Sequence, residues 1–403
     1  MRKRKSKGKS KRSKPSKSSK ASKAKTLEKF TKKSSRRGKR AKRHEAKRLE
    51  AKKRVLEKLR MLGEEVYVKL AHGEFPSLKI PSRSTSNIVY DPKLRQYVLG
   101  DKFFIRSARN IRHIRPLTQL IWVAYTASIL CKMDKTSTLR DIYYMAQADG
   151  IDFRDQQESD EVITELETVL GIPREEFNIF PEERSAIFGD LTIEYTVRNY
   201  RGVRVNLTMH PDGLVIGPTL TSAEFVKCNA DKVIVIEKGA MFTRFVEEQV
   251  HKRFKAILIH TAGQPPRATR RLIRRLNVEL GLPVYVFVDG DPWGMHIAQV
   301  ILSGSARAGH IPELATPDAQ WAGVYASDIV RYKLPSDPLT KVDLKRLDEL
   351  KRDPRYKGDL WQKEINTFLK IRRKSEQEAF SRYGLTFIVN KYLPKRLKEL
   401  SRR

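Results

Sequence analysis

The run Pro283–Gly294, PVYVFVDGDPWG, constrains the fold of this chain more than any other stretch. Its first six residues carry no charge and are rich in β-branched and aromatic side chains, the pattern of a strand buried on both faces. The run stops at Asp289-Gly290-Asp291. Gly290 permits a tight turn, and Pro292 suits the first position of a helix covering residues 293–302. A second apolar strand, Lys232–Glu237 (KVIVIE), also ends on an acid. Between the two lie a helix-like stretch (242–254), a third apolar strand, AILIHT (256–261), and a second helix-like stretch (269–280). Strand–helix–strand–helix–strand is the grammar of a parallel sheet. The expected fold class is therefore α/β, and 403 residues leave room for several domains.

Ligands of open α/β sheets collect at the carboxyl ends of the strands. If Glu237 and Asp289 share that edge, they converge with Asp291. Three oxygen donors without Cys or His nearby select Mg²⁺ over zinc. The plainer reading is that Glu237 caps a helix and that Asp289 and Asp291 only shape a turn. A second such strand that also ends on a carboxylate weighs against it.

Charge points to the partner. The chain holds 82 Lys or Arg against 47 Asp or Glu, a net charge of +35. Residues 1–50 alone hold 24 Lys or Arg and three Glu. A basic body with a more basic tail favours a polyanion, with nucleic acid the default. The tail (1–53) lacks the apolar residues for a core and is expected to be disordered, gaining helix at most near residues 41–59. Its role would be to neutralise phosphates without reading sequence. Two cysteines, Cys131 and Cys228, fit neither a disulfide framework nor a zinc spacing. No secretory signal is evident, and the most apolar stretch (117–131) is too short and too polar for a membrane span. An intracellular protein is expected, without a membrane partner.

Upstream of the sheet, residues 54–70 fit an amphipathic helix. Residues 88–90 and 97–99 fit a hairpin around Asp91-Pro92, and 112–133 a long apolar helix. Lys135–Ala148 follows, KTSTLRDIYYMAQA. Thr138 with Asp141 three residues on gives a capping-box-like start. Leu139, Ile142, Tyr143 and Ala146 fall on one stripe and predict a core face. Arg140 and Tyr144 fall at i and i+4 on another face. Tyr144 therefore projects outward with a guanidinium beside it, an arrangement that favours the phenolate and grips a phosphate. The spacing alone leaves open that both tyrosines are core and that Arg140 pairs with a surface acid. This helix, one over 159–170 and short β segments at 178–180, 185–188 and 192–197 suggest a winged helix-turn-helix. Residues 199–208 read as a hairpin turning at Arg201-Gly202, and 212–224 as a linker. Residues 321–332 read as a strand. Helices are expected over 344–350, 361–372, 376–380 and 385–400, with no chemistry assigned to them.

From about residue 50 to 400 the chain resembles the A subunit of type IIB DNA topoisomerase VI, a superfamily shared with the meiotic transesterase that opens double-strand breaks. GEFPSLKIPSRSTSNIVYD, TLRDIYYM, VIVIEKGAMF and VFVDGDPWG carry the resemblance. It implies a winged-helix (CAP-like) domain plus a Toprim-type domain. The corresponding division is 1–53 tail, 54–110 N-terminal extension, 111–212 DNA-cleavage domain and 213–403 Toprim-type domain with C-terminal helices. It implies Tyr144 as the nucleophile, Arg140 as its partner, and Glu237, Asp289 and Asp291 as Mg²⁺ ligands. It further implies double-stranded DNA as substrate, a homodimer that completes each site across two protomers, and a separate ATPase B subunit in an A2B2 assembly. The chain departs from the family pattern at Trp293, where Tyr is frequent, and at AGQPPRATR, which replaces a glycine-rich turn around Gly263–Arg267. Two alternatives stand beside this one: a meiotic-type transesterase without ATP-driven strand passage, and a non-catalytic basic DNA-binding protein.

Overall fold

The computed structural model describes residue 46, residues 49–182 and residues 184–402. The expected disorder of the tail falls on residues outside this set, except that residue 46 and residues 49–53 are helical, within the stretch 41–59 where helix was expected. Residues Val55–Arg403 form one compact unit.

The first part of this unit is built on helices. Helix α1 (residues 49–71) buries Val55, Leu59, Leu62 and Val66, one stripe at helical spacing, and leaves Val68 exposed. Strand β1 (Ser77–Pro81), the hairpin strands β2 (Ile88–Asp91) and β3 (Gln96–Leu99), and β4 (Phe103–Ser107) follow. β2 pairs with β3 around the predicted turn, and β1 pairs with β4. Helix α2 (Ile111–Met133) starts where the Asn110 side chain accepts the Arg112 N–H and ends on Asp134 in the left-handed region. Next come β5 (Ser137–Thr138), α3 (Leu139–Ala148), α4 (Gln156–Leu170) and β6 (Ile179–Phe180), with β5 and β6 paired in parallel. One apolar core joins α1, α2, α3 and α4.

The second part is a six-stranded sheet. Strand β7 (Ala186–Phe188) is followed by β8 (Leu191–Glu194), β9 (Arg204–Asn206), β10 (Leu214–Val215), the short helix α5 (Pro218–Thr221) and β11 (Glu224–Cys228). The alternating units are then β12 (Lys232–Ile236), α6 (Gly239–Glu247), α7 (Val250–Arg253), β13 (Ala256–His260), α8 (Arg267–Leu280), β14 (Val284–Phe287), α9 (Pro292–Ser303) and β15 (Gln320–Gly323). The sheet order is β10-β7-β13-β12-β14-β15. Its last four strands run parallel, as the repeated strand–helix pattern predicted. Val233–Ile236 and Val284–Phe287 are buried along their whole length, which is why neither run carries a charge.

Three expectations are corrected here. The segment expected as part of a wing, residues 185–188, instead extends the six-stranded sheet, where β7 lies antiparallel to β13. Its residues Ile187 and Phe188 are buried, and the sheet edge offers them an apolar neighbour. The hairpin expected within 199–208 forms between β8 and β9, with Arg201-Gly202 in its turn and β11 on the other side of β8. The strand expected over 321–332 ends at Gly323, and the helix α10 (Ala326–Arg331) begins where Asp328 reaches back to the Tyr325 N–H.

Beyond it lie β16 (Asp337–Pro338), α11 (Lys341–Arg352), α12 (Asp359–Ile371), β17 (Arg373–Lys374) and α13 (Leu393–Leu400). β16 and β17 pair. The stretch expected as helix at 376–380 is a 3-10 helix over Gln377–Tyr383. A buried carboxylate joins the helical part to the sheet part. Glu167, on α4, has no exposed side-chain surface. It accepts two bonds from Arg267 at the start of α8, at 2.6 and 2.8 Å, and two from Arg174, from its backbone N–H at 2.7 Å and its guanidinium at 2.8 Å.

Candidate active site

Helix α3 positions the candidate nucleophile. The Thr138 hydroxyl accepts the Asp141 N–H at 3.0 Å, and the Asp141 carboxylate accepts the Thr138 N–H at 2.9 Å. This reciprocal cap fixes where the helix begins and therefore which face each side chain takes. Ile142 and Ala146 are fully buried, and Tyr143 packs half-buried against the same core. Tyr144 is 53% exposed. The spacing therefore sorted the two adjacent tyrosines as the structure does. The Arg140 guanidinium lies 5.9 Å from the centre of the Tyr144 ring. Hydrogen bonding to Tyr144 raises the Arg140 pKa, and the Tyr144 and Glu182 charges add to it.

Two of the three candidate acids form a pair, Asp289 buried and Glu237 half-buried. β12 and β14 are neighbours in the sheet, and the Glu237 N–H donates to the Phe287 carbonyl at 3.2 Å, so both strands end at one edge. Glu237 Oε2 accepts the Asp289 N–H at 3.0 Å. Asp289 Oδ1 accepts the Gln377 N–H at 3.0 Å, and its Oδ2 lies 3.3 Å from Lys238 Nζ. Burial, then the charge of Asp289, pushes the Glu237 pKa up to about 8. Burial likewise raises Asp289 to about 6, against the pull of Gln377 and Lys238. Burial works against the Lys238 ammonium, but Asp289 and Glu376 outweigh it and raise its pKa.

Asp291 is engaged differently. Its Oδ1 accepts the Gly294 N–H at 2.6 Å and caps α9. Burial raises its pKa too. Among the described residues, no three His, Cys, Asp or Glu side chains gather closely enough to hold a metal between them. The Glu237–Asp289 pair still fits Mg²⁺, which is commonly held by one or two carboxylates and keeps several waters. Two adjacent carboxyls whose proton affinity is raised chiefly by burial are a place where a divalent cation supplies compensating charge.

The two glycines of DGDPWG have packing roles. Gly290 exchanges backbone hydrogen bonds with Ser375, and a Cβ there would lie 3.1 Å from the Ser375 carbonyl oxygen. The sequence expectation of a turn glycine therefore has a different physical cause, the close approach of a distant strand. A Cβ on Gly294 would sit 2.2 Å from the Asp289 carbonyl oxygen. Trp293 is partly exposed, with Arg346 over its ring at 5.1 Å.

Sequence reasoning missed the segment 374–377. Gln377 holds Asp289 through its backbone N–H, and its side-chain amide donates to the Phe287 carbonyl at 2.7 Å. Glu376 lies 3.5 Å from Lys238 Nζ. No local pattern in KSEQE announces this contact. It arises because the chain returns to the strand ends about ninety residues after Asp289.

Comparison with known proteins bears on these positions. Residues 232–397 match the family profile for the Toprim domain of the topoisomerase 6 A subunit and Spo11, and residues 115–179 match the family profile for type IIB DNA topoisomerase. The type 2 DNA topoisomerase 6 A subunit of Methanothermobacter thermautotrophicus is 46% identical over 345 residues, 85% of this chain and 97% of that protein. The chain belongs to the family of type 2 DNA topoisomerase 6 A subunits. The relative of the same name from Archaeoglobus fulgidus is 39% identical, covering 87% of this chain and 99% of its own length. That from Halobacterium salinarum is 38% identical, covering 89% and 98%. The Toprim profile spans Glu237, Asp289, Asp291 and the segment 374–377, and the type IIB profile spans α3 with Arg140 and Tyr144.

Proposed function

We propose that this chain is the DNA-cleaving component of an ATP-dependent type IIB topoisomerase, with Tyr144 as nucleophile. The observation that carries the assignment is the exposed Tyr144 phenol on a helix whose opposite face is locked into the core, with Arg140 at its ring. The phenolate oxygen attacks a backbone phosphorus of duplex DNA and forms a 5′-phosphotyrosyl bond. The 3′ oxygen leaves and takes up a proton. Religation is the reverse transfer, so the phosphodiester energy is kept in the covalent link. Arg140 offers a bidentate grip for the phosphate as charge builds on its oxygens. Glu237 and Asp289 would hold Mg²⁺, with Asp291 as a further donor through the oxygen that does not cap α9. Bound there, the ion would stabilise charge on the reacting phosphate.

Helix α3 would serve as the DNA-approaching helix of a winged-helix (CAP-like) domain. The assembly would be A2B2, a homodimer of this chain with an ATPase partner, acting at the chromosome. Among the described residues no helix is long and apolar enough to cross a membrane. The relatives named above favour ATP-driven strand passage over the meiotic-type alternative, because each carries the topoisomerase 6 name. The test is relaxation of supercoiled DNA by the chain with its B subunit, ATP and Mg²⁺. Tyr144→Phe is expected to reduce relaxation to background. Relaxation by that variant at the wild-type rate would refute the assignment.

A further inference from the structure

Each carboxylate of the Glu237–Asp289 pair has one oxygen tied to the backbone. Glu237 Oε2 accepts the Asp289 N–H, and Asp289 Oδ1 accepts the Gln377 N–H. The remaining Asp289 oxygen, Oδ2, is the one Lys238 Nζ approaches, at 3.3 Å. Lys238 follows Glu237 directly and stands at the N-cap of α6, so its stem begins at the same strand end as the acids. Its side chain is one-third exposed. The same Nζ lies 3.5 Å from Glu376 Oε1, and the Glu376 side chain is two-thirds exposed at 66%.

We infer that Lys238 is the resident counter-ion of the Glu237–Asp289 pair, a tethered ammonium that a divalent cation displaces towards Glu376 on entering. This rests on the reading of Glu237 and Asp289 as metal ligands. The physical reason is competition for one oxygen. An ammonium and a divalent ion drawn to the same carboxylate repel each other strongly at these distances. Lysine suits the role because its charge is compact and its stem flexible. Glu376 supplies the second resting place, and its exposure makes the move cheap in desolvation. The arrangement keeps the acids neutralised before metal arrives, and it weakens metal binding so that occupancy follows the free ion concentration. Lys238 is a positioning residue here, acting through the acids.

The experiment is Mg²⁺ binding by the full chain, measured by calorimetry, with Mn²⁺ binding by electron paramagnetic resonance as a second readout. Lys238→Met is expected to lower the Kd about tenfold, a fraction of the full Coulomb repulsion at this distance because the ammonium can swing away towards Glu376 and solvent. Lys238→Arg keeps the charge and is expected to stay near wild type. Glu376→Gln removes the alternative acceptor and is expected to raise the Kd. A Lys238→Met Kd equal to or above wild type, with Asp289→Asn abolishing binding, overturns the counter-ion role and leaves the metal site standing. Equal Mg²⁺ binding by wild type and Asp289→Asn overturns both.

Discussion

Tyr144 and the Glu237–Asp289 pair are held by opposite means. Tyr144 stands on a helix fixed by its cap and by Ile142, Tyr143 and Ala146, none of which needs the Tyr144 hydroxyl. The acids sit where burial makes ionisation costly, with Gln377 and Lys238 holding Asp289 and the Asp289 N–H holding Glu237. One reactive group is displayed at almost no cost to the fold, and the other is stored under electrostatic strain. Removing the first should change chemistry and leave stability alone. Removing the second should change chemistry and leave the metal-free fold no worse.

The largest effect is expected at Tyr144. Tyr144→Phe should abolish relaxation while its thermal unfolding stays within about 0.5 kcal/mol of wild type, as for an exposed surface change. A large loss of stability would mean that the tyrosine packs after all and would break the comparison. Next come Glu237→Gln and Asp289→Asn, expected to slow relaxation by about 100-fold or more, the scale for removing one preorganised charge-stabilising group. Unfolding of Glu237→Gln in excess chelator should be unchanged or improved, because a neutral amide replaces a carboxyl that burial already disfavours in its ionised form, and added Mg²⁺ should no longer stabilise the protein.

A third test moves to stability alone. Glu167→Gln should destabilise by about 3–5 kcal/mol, because it leaves Arg174 and Arg267 without their buried partner. Burial alone would raise the Glu167 pKa, but Arg174, His310 and Arg267 overcome it and hold the group well below the ordinary value. A depressed carboxyl stabilises the fold above its unfolded pKa and loses that contribution as pH falls towards the folded one. Wild type should therefore lose stability on acidification below about pH 5 more steeply than Glu167→Gln, measured by denaturant unfolding across pH. The fourth sharpens the tyrosine pair: Tyr143→Ala should cost about 1–3 kcal/mol where Tyr144→Ala costs little. The smallest effect belongs to Trp293→Tyr. It keeps an aromatic face under Arg346 and should shift stability by no more than about 0.5 kcal/mol.

What was legible in the sequence follows from how local each signal is. The parallel strands could be read because Val233–Ile236 and Val284–Phe287 are buried on both faces and so exclude charge. The facing of Tyr143 and Tyr144 could be read because a Thr138–Asp141 cap and a 3.6-residue period are set within ten residues. The fate of β7 could not. A three-residue apolar strand fits a wing or a sheet edge equally, and pairing with β13 is decided by a partner about seventy residues away. The approach of Gln377 and Glu376 to the acids was hidden for the same reason. Gly290 illustrates the mixed case: the residue was noticed, but its cause, contact with Ser375, lies outside any local window.

The most direct test is to trap the cleaved complex on duplex DNA with the B subunit, digest the protein, and locate the nucleotide-bearing peptide by mass spectrometry. The adduct is expected on the Tyr144 phenol, joined to a 5′ phosphate. An adduct on Tyr143 or any other side chain, or cleaved ends with no protein attached, would contradict the account.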